Sequence, residues 1–152
     1  MKRRSIREGM VFSVPLPSER FALGVVTRHS KSAVTVGYFF GPSREARPEL
    51  PDELTPDQAI LVARFGDMPL VSGEWEVLGI LPGWDRSKWP STAFLRGDIR
   101  GRGYVVHYDD HDPNEVIGEL PSGPGEADSL PSDDLCGYLI VRNRLSKLLS
   151  EI

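Results

Sequence analysis

The chain has 152 residues, 39% of them hydrophobic and 26% charged, with 15 glycines and 13 prolines. That length predicts one domain, 1–152, and so much glycine and proline predicts many turns and short elements, which excludes a coiled coil or helix bundle. The net charge of -4 weighs against a general nucleic-acid binder, and the single cysteine, Cys136, rules out an internal disulfide.

No apolar run nears the roughly 20 residues that cross a bilayer. Residues 1–8 read as a basic N-terminal arm, and the apolar stretch after it is only Met10-Val11-Phe12. A signal peptide needs an apolar core of about 7–15 residues. With one cysteine, the expectation is a cytoplasmic protein with no membrane partner.

Residues 10–16 place Met10, Phe12, Val14 and Leu16 on one face at period two, which predicts a strand. Pro15 lacks a ladder donor, so this reads as an edge strand or a strand end. Pro17–Arg20 supplies a turn. In the next strand, Phe21, Leu23 and Val25 share a face, while Ala22 and Gly24 on the other allow close approach. After the polar turn 29–32, Val34, Val36, Tyr38 and Phe40 alternate with Thr35, Gly37 and Phe39. Three short strands in succession predict a curled meander, ended by Gly41-Pro42.

Residues 42–54 read as a loop. Thr55-Pro56-Asp57-Gln58 has the cap, first-turn proline and return residue of a capping box, so a turn or two of helix is expected before a strand at 61–65. Glu74–Ile80 reads as a strand with Trp75 and Val77 inward. Residues 84–103 read as irregular, 104–108 and 116–120 as strands, and 121–131 as a long flexible loop. The C-terminal segment predicts a helix capped by Ser132, with Asp133 and Asp134 at its positive end and Leu135, Leu139, Leu145, Leu148 and Ile152 at helical spacing. Gly137 weakens the first turn, so the start can shift later.

Charge is unevenly placed. Between Arg102 and Arg142 there are nine acids and no Lys or Arg, and the remainder is net +5. Two readings are open: a solvated loop region, or a surface complementary to a basic partner. Asp109, Asp110, Asp112 and Glu115 head that segment. His107, Asp109 and His111 alternate in it, and imidazole with carboxylate is a ligand set, making a weak metal candidate against the plainer reading of a strand end and acidic turn at 112–114. Trp84 and Trp89 stand among Arg86, Lys88, Arg96, Arg100 and Arg102. They read as anchors for a protein partner, as stacking residues for nucleic acid, or as caps on the open end of the sheet. Cys136 reads as a small buried residue. No nucleophile elbow, phosphate loop or dinucleotide fingerprint is present, so no catalytic residues and no cofactor are expected.

The series GMVFSVPLP (9–17), ERFALGVV (19–26), VGYFFGP (36–42) and GEWEVLGILP (73–82) resembles the immunity protein 26 family of bacterial polymorphic toxin systems. The matching positions are Gly9, Phe12, Pro15, Leu16, Phe21, Gly24, Phe39, Gly41, Gly73, Trp75, Gly79 and Pro82. Met10 stands where the family commonly has an acid, and the resemblance covers roughly residues 8–95. It implies a small cytoplasmic, non-catalytic protein that binds and neutralises a cognate toxin domain, often a nuclease. The alternative is a nucleic-acid-binding module using the basic and aromatic 84–102 segment. Either way the expected fold is α+β: a mainly antiparallel, strongly twisted or barrel-like sheet, with a short helix and a C-terminal helix packed on it.

Overall fold

The computed structural model describes residues 5–97, 100–123 and 130–150. In chain order these form β1 (Met10–Leu16), β2 (Arg20–His29), β3 (Val34–Arg44), β4 (Leu61–Gly66), α1 (Met68–Ser72), β5 (Val77–Ile80), β6 (Phe94–Gly97), β7 (Gly103–Asp109), β8 (Asp112–Pro121), β9 (Leu135–Cys136) and α2 (Tyr138–Ser150). A six-stranded sheet has the order β5-β1-β2-β3-β4-β9, and a three-stranded sheet the order β6-β7-β8. All pairings are antiparallel except β4 with β9. The class is α+β, as expected, and the larger sheet stays open rather than closing into a barrel.

The meander β1-β2-β3 forms where the alternation predicts it. Both of its faces are buried, because apolar residues occupy both. On one, Phe12, Val14, Phe39, Phe65 and Trp75 pack with Val141 and Leu145 of α2. On the other, Val11, Leu23, Val25, Tyr38 and Phe40 pack with Leu81, Trp89 and Phe94. Gly24 shows why one strand carries small residues: a Cβ there would lie 2.3 Å from Cζ of Phe12. The Phe12 ring fills that space and stacks on Trp75, centroids 5.6 Å apart and planes 7° from parallel.

Several expectations change. β1 is not an edge strand, since β5 pairs along Met10–Phe12; Pro15 sits at the strand end beyond that pairing. β3 runs on through the cis Gly41-Pro42 bond to Arg44. The capping box at Thr55 forms and holds a single 3-10 turn, Pro56–Gln58. The short helix α1 was not anticipated; Pro69 sits in its first turn and Gly73 closes it at φ +84. Trp75 is 1% exposed but precedes β5 rather than lying within it. The 84–103 stretch contains β6, and Asp112 and Pro113 open β8 instead of forming a turn.

The helix begins at Tyr138, after Gly137. Leu135 and Cys136 form a strand beside β4, so Ser132 does not cap α2 and Asp133 and Asp134 are not in its first turn. The buried stripe is Val141 and Leu145 flanked by Tyr138 and Leu149, whereas Leu135 and Leu139 are exposed. The side chain of Cys136, Ile152, residues 1–4 and most of the 121–131 loop lie outside the described residues. Residues 5–8 are tied to the body, for Ile6 packs on the core and Glu8 accepts from Arg86 Nε at 2.8 Å.

Candidate functional site

The acidic residues gather at the β7–β8 hairpin. Asp109 pairs with Asp112, leaving Asp110-His111 as a two-residue loop. Two short-range bonds shape it: His111 N donates to Asp109 Oδ1 at 2.9 Å and Asn114 N to Asp112 Oδ1 at 3.0 Å. Aspartates suit this role because their carboxylates accept from backbone two residues on.

Asp110 differs from its neighbours. Its carboxylate accepts from Arg28 Nε at 2.9 Å and from Arg86 Nη1 and Ser91 Oγ. Arg28, 4% exposed, also donates to Thr27 O at 2.7 Å and to Trp89 O at 2.9 Å. Burial pushes the Asp110 carboxyl up, but the bonds from Ser91, Arg86 and Arg28 outweigh it and hold it well below the usual carboxylate range. Asp110 therefore fastens the hairpin to β2, while Glu115 is exposed and Asp109 and Asp112 are half-buried.

A second ion cluster, centred on Asp133, anchors the same sheet. Asp133, 7% exposed, accepts from Arg96 Nε at 2.7 Å, from Arg64 Nη1 at 3.4 Å and from the Tyr108 hydroxyl. Arg64 also donates to Pro113 O at 3.2 Å and Asp133 O at 2.8 Å, and lies over the Tyr108 ring at 4.1 Å. Burial and the bond to Asp133 raise the Tyr108 pKa. Arg28, Arg64 and Asp133 were missed as positioning residues. The legible signal was an arginine inside an otherwise apolar strand, at Val26-Thr27-Arg28 and Val62-Ala63-Arg64.

The other candidates are placed differently. Among the described residues no three His, Cys, Asp or Glu side chains form a metal-binding group. His107 and Asp109 lie on β7, but the Asp109↔Asp112 pair closes the hairpin and puts His111 in its loop, outside the extended alternation that would align the three. Trp89 is 3% exposed and packs edge-on against Tyr38 at 5.5 Å and Phe40 at 6.1 Å, so its ring faces the core rather than a partner. Trp84 is half-buried beneath Gly9, where a Cβ would lie 2.7 Å from its ring. Both cap one face of the larger sheet. Phe94 is 2% exposed, Arg86 is held by Glu8 and Asp110, and Arg96 by Asp133 and Glu119. Among the described residues of 84–102, these aromatic and basic groups are thus engaged in internal contacts.

Exposed apolar side chains lie on β8, where Val116, Ile117 and Leu120 are 43%, 63% and 65% exposed, and near the start of α2, at Leu135, Leu139 and Ile140. No described helix is long and apolar enough to cross a membrane. Comparison with curated proteins and with solved structures finds no match. The family model described as immunity protein 26 matches residues 7–104, well over half of the chain, from just before β1 into β7. The acidic hairpin, β8 and α2 lie beyond that match. On this match the chain belongs to the immunity protein 26 family.

Proposed function

We propose that this chain is a non-catalytic immunity protein that binds a cognate bacterial toxin domain in the cytoplasm and blocks it, and that the toxin is a nuclease. The observation that carries the reading is the family match over residues 7–104. Inhibition by occlusion needs no cofactor and no reacting side chain, only a complementary surface. A nuclease must hold phosphate, so its groove is basic. A surface rich in carboxylates speeds association with such a groove and competes with the nucleic acid for it.

The contact set proposed here is Asp109, Asp112 and Glu115. Asp110 is excluded from it because its carboxylate is occupied by Arg28, Arg86 and Ser91. The Trp89 carbonyl accepts from the Arg28 guanidinium that also holds Asp110, and Trp84 packs against the Trp89 ring, centroids 5.8 Å apart.

The test is co-expression with the toxin domain encoded beside the gene, followed by purification. The expected result is rescue of growth and a stoichiometric complex. Charge reversal at Asp109, Asp112 and Glu115 should weaken binding and flatten its salt dependence. No complex and no rescue would sink the immunity reading. A complex indifferent to charge reversal would move the contact surface elsewhere.

A further inference from the structure

Among the described residues the smaller sheet has one covered edge and one open edge. At β6, Leu95 N donates to Pro131 O at 2.8 Å and Asp133 N donates to Leu95 O at 2.9 Å, so the 131–133 segment runs along it. β8 pairs with β7, and among the described residues no backbone group pairs with its outer edge. Pro113 and Pro121 bracket a proline-free run, Asn114–Leu120, along which Val116, Ile117 and Leu120 are exposed at 43%, 63% and 65%. An open edge of this kind offers unpaired N–H and C=O groups to another strand, and flanking apolar side chains add contact.

Charge decides the occupant. β8 carries Asp112, Glu115 and Glu119, and no Lys or Arg stands between Arg102 and Arg142. Pairing β8 with its copy would gather six carboxylates with no base contributed by either strand, in any register, and like charges across a sheet seam are destabilising. The bulge that leaves Ile117 as an extra residue, between His107↔Gly118 and Tyr108↔Val116, further disfavours flat self-pairing. A strand rich in Lys or Arg reverses the sign of every one of those contacts.

We propose that the open edge of β8 takes a basic, extended segment of the toxin domain as an added strand, a reading that rests on the proposed immunity function. The ladder supplies a specific probe. Ser122 N donates to Gly103 O at 2.9 Å, so the antiparallel alternation turns Leu120 and Gly118 towards β7 and the Glu119 N–H towards the open edge. Glu119→Pro removes an outward donor and leaves the β7 ladder bonds in place; because it also removes the Glu119 carboxylate and its 3.6 Å ion pair with Arg96, Glu119→Gln, which keeps the donor and loses the charge, is the reference against which its affinity and melting temperature are read.

The experiment mixes the full chain with the toxin domain encoded beside the gene, then measures affinity and amide hydrogen exchange over residues 114–120. Protection of these amides in the complex is expected. Glu119→Pro should bind at least roughly tenfold more weakly with an unchanged melting temperature. Should that variant melt lower, Ile117→Lys, at a side chain 63% exposed, gives the same readout by placing a like charge against the basic segment. Tight wild-type binding with unprotected β8 amides and unimpaired variants overturns the edge assignment and leaves the immunity function standing. Failure of the wild-type chain to bind or to rescue growth removes that function and this inference together. Self-association that Glu119→Pro abolishes would make the occupant a second copy and overturn the proposal.

Discussion

Replacing Asp133 with alanine should loosen the smaller sheet from the larger one. The substitution removes the carboxylate that joins Arg64 of β4, Arg96 of β6 and Tyr108 of β7. Arg64 and Asp133 side chains are each 7% exposed, so water does not replace the lost partner at once. Breaking a buried pair costs about 3–5 kcal/mol. Arg64 keeps two backbone acceptors, Pro113 O and Asp133 O, which places the loss near about 3 kcal/mol, the lower end of that range. At about 2–4 °C per kcal/mol for a chain of this size, the melting temperature should fall by about 6–12 °C. Urea unfolding followed by tryptophan fluorescence measures it, because Trp75 and Trp89 are buried. The double variant Arg64→Met/Asp133→Ala should recover part of the loss, since most of it comes from a stranded guanidinium. A loss below about 1 kcal/mol, or two effects that simply add, would refute the assignment of Asp133 as the joint between the sheets.

Gly24→Ala should destabilise by about 1–3 kcal/mol, because the new methyl meets a Phe12 ring already stacked on Trp75; a shifted urea midpoint with an unchanged slope is the expected record. Asp110→Asn should cost about 1–2 kcal/mol at neutral pH, a figure discounted because the carboxylate is 49% exposed. The folded pKa of Asp110 lies well below its unfolded value, so its contribution is complete above about pH 5 and is lost as pH falls below the unfolded carboxylate range; the gap between wild type and variant should narrow steadily from about pH 4 downward without closing by about pH 2, and a constant gap down to that pH would count against the ion cluster. Reversing charge at Glu115, the exposed member of the set, should leave the melting temperature within about 1–2 °C of wild type, since surface substitutions stay near ±0.5 kcal/mol, whereas reversal at Asp109 and Asp112, whose carboxylates accept from His111 N and Asn114 N, should lower it further; the association rate of the triple variant with the toxin domain should drop by roughly tenfold or more at low salt.

The meander, the capping box at Thr55 and a C-terminal helix were legible because each is a local pattern. Period-two alternation, a turn every few residues and a Thr-Pro-x-Gln start act within one element. The inner stripe of α2 was misread at Leu135 and Leu139, because those leucines keep helical spacing although the chain is still extended at Leu135 and turns into the helix only after Gly137. The acidic segment was visible as composition, yet composition could not separate Asp110 and Asp133, which hold the sheets together, from Asp109, Asp112 and Glu115. Trp84 and Trp89 illustrate the same difficulty from the apolar side: among flanking arginines they could be partner anchors, stacking residues or caps on the sheet, and packing made them caps, with the Trp89 ring in the core.

The sequence by itself determined that the first three strands form a meander, where β4, β7 and much of β8 and α2 lie, and that the chain resembles the immunity protein 26 family, while β6 and β9 escaped it. Local sterics and side-chain alternation settle those within a few residues. Tertiary structure alone decided which charges are spent on internal pairs and which stay at the surface. Arg28 finds Asp110 across 82 residues of chain, and Arg64 finds Asp133 across 69. Such pairs form only when folding excludes water from groups that no sequence spacing brings together. Among the described residues, what they leave uncovered is the tip of the hairpin and the outer edge of β8.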